Sequence, residues 1–173
     1  MEREQLILVD HDDMEIGTET KEKCHYKQPI LHRALSVFIF NDSGQMLVTK
    51  RSSKKKTWPG FWSNSCCSHP RKGEETEKAA QRRIREELGI DVPLTYLFKF
   101  EYSAQFNEDW GENELDWVFI GKHNGPFRHN RDEIDEWQFV DVEELKRDVK
   151  KHPNRYTPWF KLCFERVLEN LKK

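Results

Sequence analysis

The sequence predicts a mixed α/β (α+β) architecture, a central mixed sheet flanked by helices, with residues 1–173 forming one domain. Three observations carry this expectation. Apolar and aromatic strand candidates crowd the middle of the chain. One amphipathic helix, Glu77 to Leu88, is inserted among them. Two further helical stretches are appended after the last strand. That order differs from a doubly wound Rossmann alternation.

Leu6 to Val9 reads as a short first strand, followed by a turn-like acidic cluster, Asp10 to Met14. Glu19 to Pro29 reads as an irregular polar segment. Ala34 to Phe40 has the apolar density of a buried strand. Asn41-Asp42-Ser43-Gly44 then turns the chain into Gln45 to Lys50, and the pair predicts a hairpin. Lys50 to Lys56 is a basic loop. Pro59 and Gly60 break the chain before Phe61 to Ser68, which can be extended. In the inserted helix Ala80, Ile84 and Leu88 recur at i, i+4, i+8 as a buried stripe, and Gly89 stops it. Leu94 to Ser103 and Glu114 to Gly121 are aromatic-rich strands around an acidic loop, Asn107 to Gly111. Glu136 to Val140 is a last strand. Val142 to Lys151 and Trp159 to Leu171 are helices separated by Pro153 and Pro158.

Lys+Arg total 29 and Asp+Glu 31, a formal charge of −2, which speaks against a general nucleic-acid or anionic-membrane binder. Eleven Phe and six Trp speak against disorder despite 35% charged residues. The longest apolar run, Ala34 to Phe40, is too short to span a bilayer, and the N-terminus lacks the pattern of a secretory signal. Two of the four cysteines, Cys66 and Cys67, are adjacent, which suits a disulfide framework poorly. A reduced, cytoplasmic setting is therefore expected, with Cys66 and Cys163 as small buried hydrophobes.

Cys67 and His69 are two apart, so on a strand they share a face. Glu112, Glu114 and Asp116 stand in the same relation, with Leu115, Trp117 and Phe119 on the opposite, core side. From pattern alone the three acids read as a solvated polar face. His25 and His32, taken alone, read as ordinary surface or loop histidines. Together, His25, His32, His69, Glu112 and Glu114 have the chemistry of an N/O site for Mn²⁺ or Mg²⁺, with Zn²⁺ also compatible. Arg83 and Glu87 are one helical turn apart. They can be a surface ion pair, or a phosphate contact beside a Mg²⁺ ligand. The cations from Lys50 to Lys56 can be a solvated loop or a diphosphate clamp.

SHPRKGEETEKAAQRRIREELGI resembles a degenerate Nudix box, with Glu74, Arg82, Ile84, Glu86, Glu87 and Gly89 in register. Ser68 stands where the box opens with Gly. Arg83 stands where Nudix hydrolases carry a metal-binding Glu, which weakens metal-activated hydrolysis. His25, His32, TKRSSKKKTWPGFWSNSCCSHP, Tyr102, GENE at Gly111 to Glu114 and TPW at Thr157 to Trp159 extend the match over nearly the whole chain. Together they resemble the type 1 isopentenyl-diphosphate isomerase family. That resemblance implies a Nudix-like fold and allylic isomerisation of a five-carbon isoprenoid diphosphate. It implies that His25, His32, His69, Glu112 and Glu114 hold a divalent metal. It implies that Glu87 and the Cys67 carbonyl hold a Mg²⁺ brought by the diphosphate, and that Lys21, Arg51, Lys55 and Arg83 contact that group. Cys67, and Glu114 with Tyr102, would move the protons, and Trp159 would lie over the cationic carbon.

No flavin motif is present, and the expected state is a monomer or weak homodimer with no nucleic-acid or membrane partner. Two other readings compete: a Nudix pyrophosphohydrolase, which releases phosphate and tolerates loss of Cys67, and an inactive Nudix-like binding module, which would lack metal ligands.

Overall fold

The computed structural model describes residues 3–173. Among the described residues nine strands form one mixed sheet: β1 (Gln5–Val9), β2 (Glu15–Thr20), β3 (His32–Phe40), β4 (Met46–Arg51), β5 (Trp62–Ser63), β6 (Cys66–Ser68), β7 (Thr95–Gln105), β8 (Gly111–Lys122) and β9 (Ile134–Val140). The helices are α1 (Lys21–His25), α2 (Thr76–Leu88), α3 (Val142–Lys151) and α4 (Pro158–Leu171).

β3 is the axis of the sheet. Along one edge it pairs in parallel with β8, from His32–Glu114 to Phe40–Lys122. Its other edge is shared by three partners: β1 at Leu8–His32, β6 from Leu35–Ser68 to Val37–Cys66, and β4 at Phe40–Met46. The expected hairpin of β3 and β4 is thus paired only at its neck. β4 then leaves β3 to pair with β9 and β5, because Asn64 and Ser65 occupy the next stretch of the β3 edge through Asn64 Nδ2 to Val37 O and Ile39 N to Ser65 Oγ.

Alternation along β3 divides the core. Leu35, Val37 and Ile39 face α2, packing on Ala79, Ala80, Ile84 and Leu88, all fully buried or nearly so. Gly89 ends α2 at φ +69, and its N–H closes on Arg85 O, as its sequence position predicts. Phe38 faces the other way, stacked on Phe160 of α4 at 6.2 Å, and Phe164 continues the stack at 4.8 Å. Phe160→Ala removes the centre of this column. It is expected to cost about 3–5 kcal/mol in a urea unfolding titration, without altering the strand register.

Two expectations need correction. The segment Glu19 to Pro29, expected to be irregular, begins with the end of β2 (Glu15–Thr20), paired with β1, and continues as the helical turn Lys21–His25, with Thr20 Oγ1 accepting from Lys23 N. Pairing with β1 and a local cap override the polar composition there. Glu112, Glu114 and Asp116 do not form a solvated face; they are 6, 6 and 1% exposed. α4 and the loop before β5 cover that side of β8, so the acids project into an enclosed space. Among the described residues, no helix is long and apolar enough to cross a membrane.

Candidate active site and metal centre

Strand register assembles the site. Residues paired across a ladder share a face. Cys67 pairs with Ser36 on β3, Glu114 pairs with His32, and Tyr102 of β7 pairs with Glu114. His32, Ser36, Cys67, Glu114, Asp116 and Tyr102 therefore lie on one face of four adjacent strands, the face covered by Trp159 from the first turn of α4. Cys66 falls on the opposite face and is buried against α2. β6 and β8 flank β3, two strand spacings or about 10 Å apart. Between them opens a cavity of about 390 Å³ whose walls include Cys67, Glu114, Asp116, Trp159, Lys21, Arg51, Lys55 and Arg83.

At one end, His25, His32, His69, Glu112 and Glu114 are all buried, with one ligand atom of each within 4.8 Å of the others. His25 Nδ1 donates to Lys21 O at 2.6 Å, and His32 Nδ1 donates to Ile30 O at 2.7 Å. With the Nδ1 hydrogens used in this way, each Nε2 is the ring nitrogen that can present a lone pair to a metal. His25 Nε2 lies 2.8 Å from Glu112 Oε2, an oxygen with no hydrogen-bond partner. His32 and His69 Nε2 lie 3.1 and 2.6 Å from Glu114 Oε2. For His25 and His32 this sets a ring lone pair against a carboxylate oxygen, an arrangement a cation relieves, and three imidazoles with two carboxylates fit a divalent ion. Burial holds His69 well below its ordinary value, which keeps it neutral and able to ligate. The surface reading of His25 and His32 is therefore overturned: α1 and the start of β3 carry both inward.

Cys67 Sγ accepts from Trp159 Nε1 at 3.0 Å, and its S–H donates to Asn64 Oδ1 at 3.0 Å. Asn64 Nδ2 donates to Val37 O and Cys66 O, which orients the amide oxygen toward the thiol. Burial pushes the Cys67 thiol up to about 12, against the pull of the Arg51 guanidinium, so it is a neutral proton donor. The Tyr102 hydroxyl donates to Glu114 Oε1 and does not itself reach the cavity wall. Trp159 lies under Arg51, 5.1 Å from guanidinium to ring.

Lys21, Arg51, Lys55 and Arg83 also line the cavity and give it a cationic rim. Glu133, at the foot of β9, pairs with Lys55 and lies 3.3 Å from Arg83. Burial alone would raise its carboxyl; Lys55 and Arg83 outweigh that and hold it down to about 2. A depressed carboxyl stabilises the fold fully above its unfolded value of 4.5, and the contribution is lost as pH falls toward 2. Glu133→Gln is expected to flatten the fall of Tm between those two pH values, read by thermal melts across the series. Glu87 is buried and paired with Arg83 at 2.5 Å, and it does not line the cavity.

The NUDIX domain profile matches residues 30–160. An isopentenyl-diphosphate Delta-isomerase 1 of Aromatoleum aromaticum is 44% identical over 95% of this chain and 93% of its own. An isopentenyl-diphosphate Delta-isomerase of Serratia proteamaculans is 40% identical over 91% and 87%. The chain belongs to the isopentenyl-diphosphate isomerase family, within the NUDIX domain group.

The isomerase-family chain also shares its fold with a Deinococcus radiodurans crystal structure (TM-score 0.72, 20% identity, 86% of this chain and 90% of that one). A MutT NUDIX hydrolase from Burkholderia pseudomallei is similar at TM-score 0.63 and 23% identity, over 79% of this chain and 98% of its own. At such identity the likeness speaks for fold alone.

Several parts of the site are not evident from the isomerase-family sequence. Asp116, which alternation places on the polar face, lines the cavity with Cys67 and Glu114. Ser36 Oγ donates to its Oδ2 at 2.7 Å, and its Oδ1 has no partner. Burial holds its carboxyl well above the ordinary range. The lone Ser36 inside an apolar strand was the available signal. Asn64 and Thr57 sit in loops whose convergence no spacing rule encodes.

Proposed function

We propose that this chain catalyses the reversible conversion of isopentenyl diphosphate to dimethylallyl diphosphate. The observation that carries the reading is a neutral thiol and a buried carboxylate on two strands flanking β3, with a cavity between them and a cationic rim at its mouth. An alkene is a poor base, so the acid must be held in place and water excluded. Cys67 serves one face of the olefin and Glu114 the other: one proton is added at C4 and one removed at C2. Asn64 and Trp159 hold the sulfur, and Trp159 N–H steadies it when its proton has left. Tyr102 hands protons to and from Glu114. The indole face of Trp159 supports positive charge at C3, worth about 2 kcal/mol when desolvated, without offering a nucleophile.

Lys21, Arg51, Lys55 and Arg83 bind the diphosphate, Arg by bidentate contacts. His25, His32, His69, Glu112 and Glu114 would hold Mn²⁺, Mg²⁺ or Zn²⁺, and Glu87 with the Cys67 carbonyl a Mg²⁺ arriving with substrate. When bound, these ions orient and acidify Glu114 and neutralise the diphosphate. Residues 1–173 act as one catalytic unit, no flavin takes part, and four free thiols suit the cytoplasm. The test is ³¹P and ¹H NMR of isopentenyl diphosphate with enzyme and Mg²⁺. Dimethylallyl diphosphate without free phosphate is expected; phosphate or pyrophosphate release with no isomer defeats the reading.

A further inference from the structure

Thr57 lies in the loop between β4 and β5 and is 7% exposed. It touches both halves of the site. Its hydroxyl donates to Glu112 Oε1 at 3.0 Å. The same oxygen accepts from Arg51 Nη2 at 3.3 Å, and its carbonyl accepts from Arg51 Nε and Nη2 at 3.1 and 2.9 Å.

The direction of these bonds is not free. A guanidinium has no acceptor, so Arg51 must donate into the hydroxyl oxygen, and the single hydroxyl proton is left to point at Glu112. Two consequences follow. Glu112 Oε1 is engaged, which turns Oε2 toward His25 Nε2 with no other partner. One edge of Arg51 is engaged by Thr57, its guanidinium lies over Trp159, and the residue lines the cavity. The backbone supports this arrangement at a conformational cost. Trp58 sits at φ +45, a region a bulky residue rarely takes, and Gly60 at φ +75 completes the turn that aims Thr57 inward.

We propose that Thr57 is a positioning residue that couples the guanidinium of Arg51 to the carboxylate of Glu112, so that the diphosphate clamp and the metal centre are set up together. This rests on Arg51 receiving the diphosphate and Glu112 holding the metal, as in the reaction proposed above. A ligating carboxylate needs its other oxygen fixed, and the group that fixes it is itself fixed by Arg51. Arg51 therefore influences metal affinity before any diphosphate is present, although it is not a ligand.

The test uses metal-stripped full-length protein titrated with Mn²⁺ alone, free Mn²⁺ being read by electron paramagnetic resonance. Thr57→Val is expected to weaken Mn²⁺ binding by about 10–100-fold, and Thr57→Ser to restore it. Arg51→Lys keeps the charge but loses the fork, and is expected to weaken binding by about threefold or more. The double variant is expected to bind no more weakly than Thr57→Val, because both changes break one chain of contacts. Circular dichroism melts of each metal-free variant establish that it is folded. Wild-type affinity in Thr57→Val, an unaffected Arg51→Lys, independent addition of the two effects, or a wild type that binds no Mn²⁺ overturns the proposal. Isomerase turnover of the wild type is measured separately. An intact coupling without turnover sinks the isomerase reading alone; turnover without coupling sinks the positioning role alone.

Discussion

Cys67→Ala is expected to lower the rate of isopentenyl diphosphate isomerisation by about 10²–10⁴-fold, the usual contribution of a positioned acid or base. Inorganic pyrophosphate, which engages only the cationic rim, should bind the variant and the wild type within a factor of about three. The prediction follows from placement. The thiol lies between a donor, Trp159 Nε1, and an acceptor, Asn64 Oδ1, so its proton has a defined position before substrate arrives. Burial keeps it protonated at neutral pH. The alkaline limb of the wild-type rate profile is therefore expected well above the ordinary thiol value of about 8.5. Near-wild-type turnover by folded Cys67→Ala would remove the sulfur from the reaction. Isomerisation tracking pyrophosphate affinity across variants would point instead to a binding defect.

Glu114→Gln should be as damaging for two separable reasons. Its carboxylate meets His32 and His69 on one oxygen and Tyr102 on the other; an amide that keeps its C=O for the Tyr102 hydroxyl turns an NH2 group, which cannot ligate a metal, toward the histidines. Mn²⁺ affinity is expected to fall by at least about 10–100-fold, the scale already typical of residues that only support a ligand. Turnover is expected to fall by about 10²–10⁴-fold even when excess Mn²⁺ reloads the site, because the carboxylate also moves a proton. Equilibrium dialysis measures the first effect, and single-turnover assays at saturating Mn²⁺ measure the second. Recovery of full activity at high Mn²⁺ would leave Glu114 a ligand and nothing more.

The sheet and its helices were legible in the sequence wherever one local periodicity dominates. α2 is the clearest case: its stripe of Ala80, Ile84 and Leu88 and its terminator Gly89 lie within one short stretch. β2 and α1 were not legible, because their support comes from β1 and from the turn at Thr20 rather than from their own composition. The site was legible in pieces. Alternation correctly set Cys67 with His69 and Glu112 with Glu114, but it could not say whether the acidic face met water. That depended on α4 folding back over β8 from the far end of the chain. Family resemblance supplied the convergence of His25 and His32 that spacing alone does not encode. It did not bring out Thr57, Asn64 or Asp116, whose parts in the site depend on loop and strand neighbours.

The parallel pairing of β3 with β8 also shapes how the molecule comes into being. His32 and Glu114 are 82 residues apart, and their strands cannot meet until everything between them has been made and folded back. As the polypeptide leaves the ribosome, the histidine half of the cage emerges long before the carboxylate half. A fragment ending ahead of β8 owns three imidazoles and no acid to complete them. An ion held by these five residues would therefore be a clasp fastened on a finished sheet, not the seed around which the sheet grows.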